Sequence, residues 1–346
     1  MKKLVLVSVF LILMKSFVFS QNDYELVWSD EFDGTSLDLT KWDYQQGTGA
    51  SEGLTGWGNN ERQYYTEENV RLEDGMLIIT AKKETKGGMP YTSSRILTRG
   101  KYTTTFGRIE ARVSLPEGTG LWPAFWMLPD DSPYGTWASS GEIDIMEVRG
   151  RIPEAYSGAV HYGDIWPRNV YHTTGDYRFP DNGTIEGFHV YALEWTDSEI
   201  AWYCDDNLVG KFSGWYSANG QYPAPFDVPF YILLNMAVGG TFDGERVPGA
   251  DFVSAEMKVD YVRVYKQVTG IKDIKASNIT ISKEDNVILV DSPNSIKGLK
   301  LYSISGDLVF AQPVSHINTS GLNKGMYLLE VNDVAGDSKT FKVRID

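Results

Sequence analysis

The stretch "RIEARVSL", residues 108–115, puts Ile109, Ala111, Val113 and Leu115 on one parity and Arg108, Glu110, Arg112 and Ser114 on the other. A period of two is the mark of a strand with one face on a core and the other polar. Neighbouring segments read the same way. "IAWYCDDNLVGKF" (200–212) divides into two strands joined through Asp205, Asp206 and Asn207, a hairpin turn. "GMLIITAKK" (75–83) and "FHVYALEW" (188–195) carry apolar residues on both parities, as expected of strands covered on both sides. Long amphipathic helical windows are absent, so the pattern predicts an all-β, antiparallel sandwich of many strands.

A chain of 346 residues with 42% hydrophobic content can build one large domain and a small one. Lys+Arg 32 against Asp+Glu 46 leaves a formal net charge of -14, which repels phosphate backbones and anionic membrane surfaces. Nucleic acid is therefore not an expected partner. Residues 1–20, "MKKLVLVSVFLILMKSFVFS", have the basic start, short apolar run and small residues of a cleaved secretory signal, with Gln21 as the new N-terminus. Lys15 interrupts a run already short for a bilayer span, and no later segment has the length and apolarity of one. The single cysteine, Cys204, permits no intramolecular disulfide and, in an apolar strand, reads as a buried inert thiol.

Every tryptophan lies between Trp28 and Trp215, and residues 269–346 contain none, although "NVILV", "GLKLYSISG" and "GMYLLEV" there are still strand-like. We read a signal at 1–20, a main domain at 21–268 and a small second β-domain at 269–346. The alternative is that the tail adds strands to the first sheet.

The segment "SSGEIDIMEVRG" (139–150) carries Glu142, Asp144 and Glu147. In a regular strand Glu142 and Asp144 share a face and Glu147 points the other way. A β-bulge at Ile145 and Met146 removes the conflict: Ile143, Ile145, Met146 and Val148 then face inward and all three acids outward. The two glutamates then sit about 13 Å apart along the backbone. Side chains leaning together leave about 5 to 6 Å, the separation of a retaining glycosidase pair. In that chemistry one glutamate attacks the anomeric carbon while the other donates a proton to the leaving oxygen. Asp144 between them pushes their pKa values apart. Alternating acids also occur on plain solvated faces; Trp122, Trp126 and Trp137, which can line a cleft and stack on sugars, tip the balance.

"GRIEARVSLPEGTGLWPAFWMLP" (107–129), "SGEIDIMEVRG" (140–150) and "GNNERQYYT" (58–66) resemble the laminarinase-type members of glycoside hydrolase family 16. The likeness runs from Val27 to Tyr265. It implies a jelly-roll, concanavalin-like sandwich and a retaining endo-β-glucanase. "EIDIME" matches the bulged branch of that family, which holds endo-1,3-β-glucanases and galactan-degrading enzymes. The resemblance implies Glu142 as nucleophile, Asp144 as its supporting acid and Glu147 as general acid/base. It also implies Asn60, Arg95, Trp122, Trp126, Trp137, His161 and Asn235 as residues lining sugar subsites. From the residues alone, His161 reads equally as a core histidine, Arg95 as a surface ion pair, and Asn60 and Asn235 as turn or strand-end residues. One departure is Ala138 in "TWASSGEID", where the family usually has proline, which loosens the loop carrying Trp137.

The family resemblance further implies no cofactor for catalysis but a structural calcium held by Glu31, the Gly75 carbonyl and Asp260. The tail resembles C-terminal sorting domains of type IX secretion, through "YSISG" and "LNKGMYLLEV". That implies secretion machinery as a partner and a secreted or cell-surface location, although the closing "FKVRID" lacks the usual basic run. A carbohydrate-binding module is the alternative for the tail, disfavoured by its lack of tryptophan platforms. The expected activity is a monomeric endo-1,3-β-glucanase on laminarin-like or mixed-linkage glucan. Its rivals are an agar-type galactan hydrolase and a non-catalytic β-glucan-binding protein.

Overall fold

The computed structural model describes residues 24–267, 279–292, 294–303, 308–334 and 338–345. The expected signal segment and the junction near residue 269 lie outside them. One compact unit ends at Gln267 and a second begins at Val268. Helical structure among the described residues is limited to short 3₁₀ turns, and no helix is long and apolar enough to cross a membrane.

The first unit is built from a ten-stranded and an eight-stranded sheet. Through the ten-stranded sheet run, in spatial order, Asn207–Phe212, Ile200–Cys204, His189–Trp195, Gly107–Ser114, Ser254–Gln267, Met76–Lys82, Tyr91–Ser93 and Gln63–Tyr65. Through the eight-stranded sheet run Val170–Thr173, Ala155–Tyr162, Glu142–Glu147, Leu121–Pro129, Phe230–Val238, Arg95–Leu97 and Asp43–Tyr44. Nearly all pairings are antiparallel, Gln63–Tyr65 beside Tyr91–Ser93 being parallel. The hairpin after Cys204 turns on Asp205 (φ 48°) and Asp206 (φ 61°) alone, the two left-handed residues of a type I′ turn. Asn207 already belongs to the second strand.

Ile109, Ala111, Val113 and Leu115 are all buried in one core with Phe125, Ile143, Ile232 and Leu234 of the other sheet. Each such aliphatic side chain contributes about 1.5–3 kcal/mol by leaving water. The opposite parity is less simple than a solvated face. Glu110 is itself buried and accepts from Arg108 Nε at 2.8 Å and Tyr265 Oη at 3.3 Å, because strands on both sides cover it.

The strand Glu142–Glu147 carries the bulge. Against Leu121–Pro129, Asp144 pairs with Trp126 and Met146 with Phe125; against Ala155–Tyr162, Asp144 pairs with Ala159 and Glu147 with Ser157. One residue is extra on the acid strand. Ile143, Ile145, Met146 and Val148 are consequently all in the core. A bulge leaves backbone groups without ladder partners, and a buried carbonyl needs a donor. Trp202 of the facing sheet supplies it, donating from Nε1 to the Asp144 carbonyl at 2.9 Å. A Cβ added to Gly158 would come within 2.4 Å of that indole ring, so glycine is required beside it.

The second unit has a three-stranded sheet (Thr280–Glu284, Val287–Asp291, His316–Asn318) and a four-stranded sheet (Leu308–Gln312, Ile296–Ser303, Gly325–Asp333, Ser338–Ile345). Ile288, Leu299, Leu301, Ile317 and Leu329 form a core of its own.

Trp202→Phe keeps most of the ring but removes the donor to a buried carbonyl. Urea unfolding of the larger unit is expected to show a loss of about 1–3 kcal/mol. An unchanged transition would show that the bulge does not depend on this bond.

Candidate active site

The two outer faces differ in chemistry. On the ten-stranded sheet, arginines are matched to acids: Arg108 with Glu110, Glu194 and Asp206, and Arg71 with Glu73 and Glu256. On the eight-stranded sheet three acids stand among aromatic rings. Residues paired across antiparallel strands project on the same face. Glu142 is therefore in a row with His161 and Tyr171, Asp144 in a row between Trp126 and Ala159, and Glu147 in a row with Ser157, Ala124, Asn235 and Arg95.

Each acid has its own surroundings. Trp137 Nε1 donates to Glu142 Oε2 at 2.9 Å, and Trp122 Nε1 donates to Glu147 Oε1 at 2.9 Å. His161 Nε2 lies 3.8 Å from Glu142 Oε1 and 3.6 Å from Asp144 Oδ2, an oxygen with no hydrogen-bond partner. Burial pushes Glu142 up to about 7, against the Trp137 N–H and the Arg95 charge, which favour the anion. Burial also pushes Glu147 up to about 7, and there the next cause, the charge of Glu142, favours the protonated form. Asp144 is held well above the ordinary carboxylate range by burial and by both glutamates. Burial lowers His161, so its imidazole is neutral near pH 7.

A buried polar relay lies beneath this face. Trp126 Nε1 donates to Asn235 Oδ1 (2.7 Å), Asn235 Nδ2 donates to Tyr65 Oη (3.1 Å), and Tyr65 Oη donates to Glu61 Oε2 (3.2 Å). Gln63 Nε2 also donates to Glu61, at 2.6 Å, while Gln63 Oε1 accepts from the Val238 N–H at 2.8 Å. Every link donates toward one carboxylate, which fixes the plane of the Trp126 ring. Arg95 is buried between the faces of Trp57 and Trp126, 4.7 Å from each ring centre, and its charge favours the Glu61 anion against burial.

The expected subsite residues thus fall into different situations. Trp122, Trp137 and His161 converge on the acids. Trp122 has one face stacked on Phe242, with ring centres 5.0 Å apart, so only its other face and its N–H serve the site. Arg95, Trp126 and Asn235 form the floor, and the Asn235 amide accepts from Trp126 and donates to Tyr65. Asn60 is a turn residue (φ 56°) whose Nδ2 donates to Glu245, and it contacts none of the three acids. Glu61, Gln63, Tyr65 and Trp57 were not anticipated. The period of two in "ERQYY" was the available signal, since it aligns Glu61, Gln63 and Tyr65.

Of the expected calcium ligands, Glu31 accepts from Arg263 through both oxygens, at 3.0 and 2.7 Å, and Asp260 accepts from Arg112 at 2.7 Å. Carboxylates already accepting from guanidinium groups do not fit a divalent cation. Gly75 is a left-handed turn residue (φ 70°). A second cluster, His189, Cys204 and Asp205, is self-satisfied. His189 Nδ1 is 2.6 Å from Asp205 and Nε2 is 3.1 Å from the Thr184 carbonyl, while burial raises the Cys204 thiol.

Comparison with known proteins agrees with this geometry. Residues 25–267 match the family model "Beta-porphyranase A-D, GH16 domain", and residues 275–346 match "Secretion system C-terminal sorting domain". The chain is 46% identical over 258 residues to glucan endo-1,3-beta-glucosidase A1 of Niallia circulans, covering 70% of this chain but only 38% of that protein. It is 45% identical over 254 residues to a beta-glucanase of Rhodothermus marinus, covering 71% of this chain and 86% of that protein. The X-ray structure of the laminarinase from Rhodothermus marinus superposes with a TM-score of 0.63 at 44% identity, over 71% of this chain and 98% of that one.

Asp144 gives a test of the electrostatics. Its proton affinity is raised on folding above the ordinary 3.8, so its stabilising contribution is complete below that pH and is lost as pH rises through the folded value. Asp144→Asn cannot ionise. The variant should gain on the wild type between pH 4 and pH 8, by about 1.4 kcal/mol for each tenfold by which folding raises the affinity. Thermal unfolding of both proteins at the two pH values checks this, and an equal difference at both would contradict it.

Proposed function

The chain belongs to glycoside hydrolase family 16, and on that premise we propose that it is an exported endo-1,3-β-glucanase that cleaves laminarin-like glucan with net retention. The observation that carries the reading is the set of three acids on one face, with Glu142 and Glu147 each held by an indole N–H, from Trp137 and Trp122, and with the charge of Glu142 favouring the protonated form of Glu147. Glu142, whose charge favours the protonated form of Glu147, is the anion of the pair; it attacks the anomeric carbon and forms the glycosyl-enzyme bond. Glu147, kept protonated by burial and by Glu142, gives its proton to the leaving oxygen. It then takes a proton from the water that hydrolyses the intermediate. Asp144, kept protonated by burial and by the charges of both glutamates, eases the change of charge on the nucleophile as the bond forms and breaks. Neutral His161 completes the wall around these oxygens.

The substrate follows from the relatives named for 1,3-glucan and β-glucan hydrolysis. The match to the sorting-domain model supports export through type IX secretion. A second reading has one specific observation in its favour: the matching catalytic family model is named for β-porphyranases. Reducing-sugar assays on laminarin, lichenan, agarose and porphyran separate the two readings, and oligosaccharide rather than glucose products mark endo action.

Glu142→Ser is expected to lower turnover of laminarin on the order of 10³-fold or more while laminarin binding persists in affinity electrophoresis. Wild-type turnover in that variant would remove Glu142 as nucleophile. Proton NMR of the wild-type reaction should show the β anomer first; an initial α anomer would replace retention with inversion.

A further inference from the structure

Three large rings are exposed at the Glu142 end of the acid face: Trp137 at 40%, Tyr171 at 66% and Trp166 at 70%. Single exposed rings need no explanation, but these are linked to one another and to the acids. Tyr171 stacks on His161 (ring centres 5.8 Å apart, 27° between planes), and His161 lies 5.4 Å from the Trp137 ring. The Trp166 N–H donates to the Trp137 carbonyl at 3.2 Å, tying the loop after Ala155–Tyr162 to the loop before the acid strand. The row Glu142, His161, Tyr171 crosses to Val170–Thr173, the last strand on this side of the sheet. With strands about 4.8 Å apart, Tyr171 stands about 10 Å from Glu142, beyond the sugar ring at the nucleophile.

We propose that Trp166 and Tyr171 form an outer sugar-binding platform that holds distal pyranose rings of the same polysaccharide chain whose bond is cut at Glu142. This rests on the reading of the acid face as a glycan cleft. The chemistry fits a neutral sugar, because a pyranose offers an apolar C–H face to an aromatic ring and hydroxyls to the tyrosine Oη. The charge fits as well. Of the ionisable groups at this end, Glu142 and Asp144 are acids, burial lowers His161 toward its neutral form, and Arg168 in the Trp166 loop is paired with Asp164 at 2.7 Å. Tyr171 continues the row that holds Glu142, so one extended chain reaches both along the sheet, with the Trp166 loop tied beside it to Trp137.

The test compares laminarin with a laminari-trisaccharide, which, with its scissile bond at Glu142, puts at most two rings on the Tyr171 side while the polymer supplies rings beyond them. For Trp166→Ala and for Tyr171→Ala, the preference for polymer over trisaccharide, as the ratio of kcat/KM values, should fall about tenfold, chiefly through KM on the polymer. Trp166→Phe and Tyr171→Phe should restore most of it, and thermal unfolding verifies that each variant is folded. An unchanged ratio in folded alanine variants overturns the proposal. So does dimerisation by the wild type that the alanine variants lose while the ratio stays constant, since the rings would then serve a second copy. If the wild type leaves laminarin intact but cleaves agarose or porphyran, the glucan reading fails. The same polymer-to-oligosaccharide comparison on that galactan then decides the platform separately.

Discussion

The hydrogen bond from Trp202 Nε1 to the Asp144 carbonyl joins the two sheets at the point where the acid strand departs from regular pairing. A buried carbonyl left unpaired by the bulge costs on the order of 1–3 kcal/mol, and a register slip that removed the bulge would turn Glu147 into the core. Met146 would take its place outside. The indole holds the irregular register by making it the satisfied one. Gly158 yields the space, and the four inward apolar residues around the bulge seal it. The catalytic geometry is therefore a property of the sandwich core as much as of the acid strand.

Above that core the site is built on two layers of indole donors. Trp122 and Trp137 donate to the glutamates directly, while Trp126 donates downward into the relay that ends on Glu61. An indole has one N–H and no acceptor, so each such bond sets a ring plane as well as a carboxylate position. The same rings that orient the acids thereby present fixed faces to a sugar. Arg95, between Trp57 and Trp126, adds a positive charge below the face without exposing it to the ligand. Glu142 and Glu61 both feel that charge, which couples the floor to the chemistry.

The distribution of charge over the two sheets separates support from function. The chain has a net charge of -14, yet Arg71, Arg108, Arg112 and Arg263 of the ten-stranded sheet are each paired with an acid. The exposed ones among these pairs contribute little stability each. On the eight-stranded sheet three buried acids share a small space with a neutral histidine, an arrangement that opposes folding at high pH. Such strain is characteristic of a site selected for reactivity.

The sequence alone determined the strand periodicity, the inward set Ile109, Ala111, Val113 and Leu115, the bulge at Ile145 and Met146, and the common face of Glu142, Asp144 and Glu147. These follow from parity, which is local: a residue's face depends only on its count along its own strand. The tertiary structure alone decided what each outward residue meets. Arg95 became a buried cation between two rings instead of a surface ion pair, Asn235 a link in a relay, and Glu31 and Asp260 partners of arginine. The bond from Trp202 to Asp144 and the relay links from Trp126 to Asn235 and from Asn235 to Tyr65 join residues 58, 109 and 170 positions apart. Such pairings depend on which strands become neighbours, and parity carries no information about that.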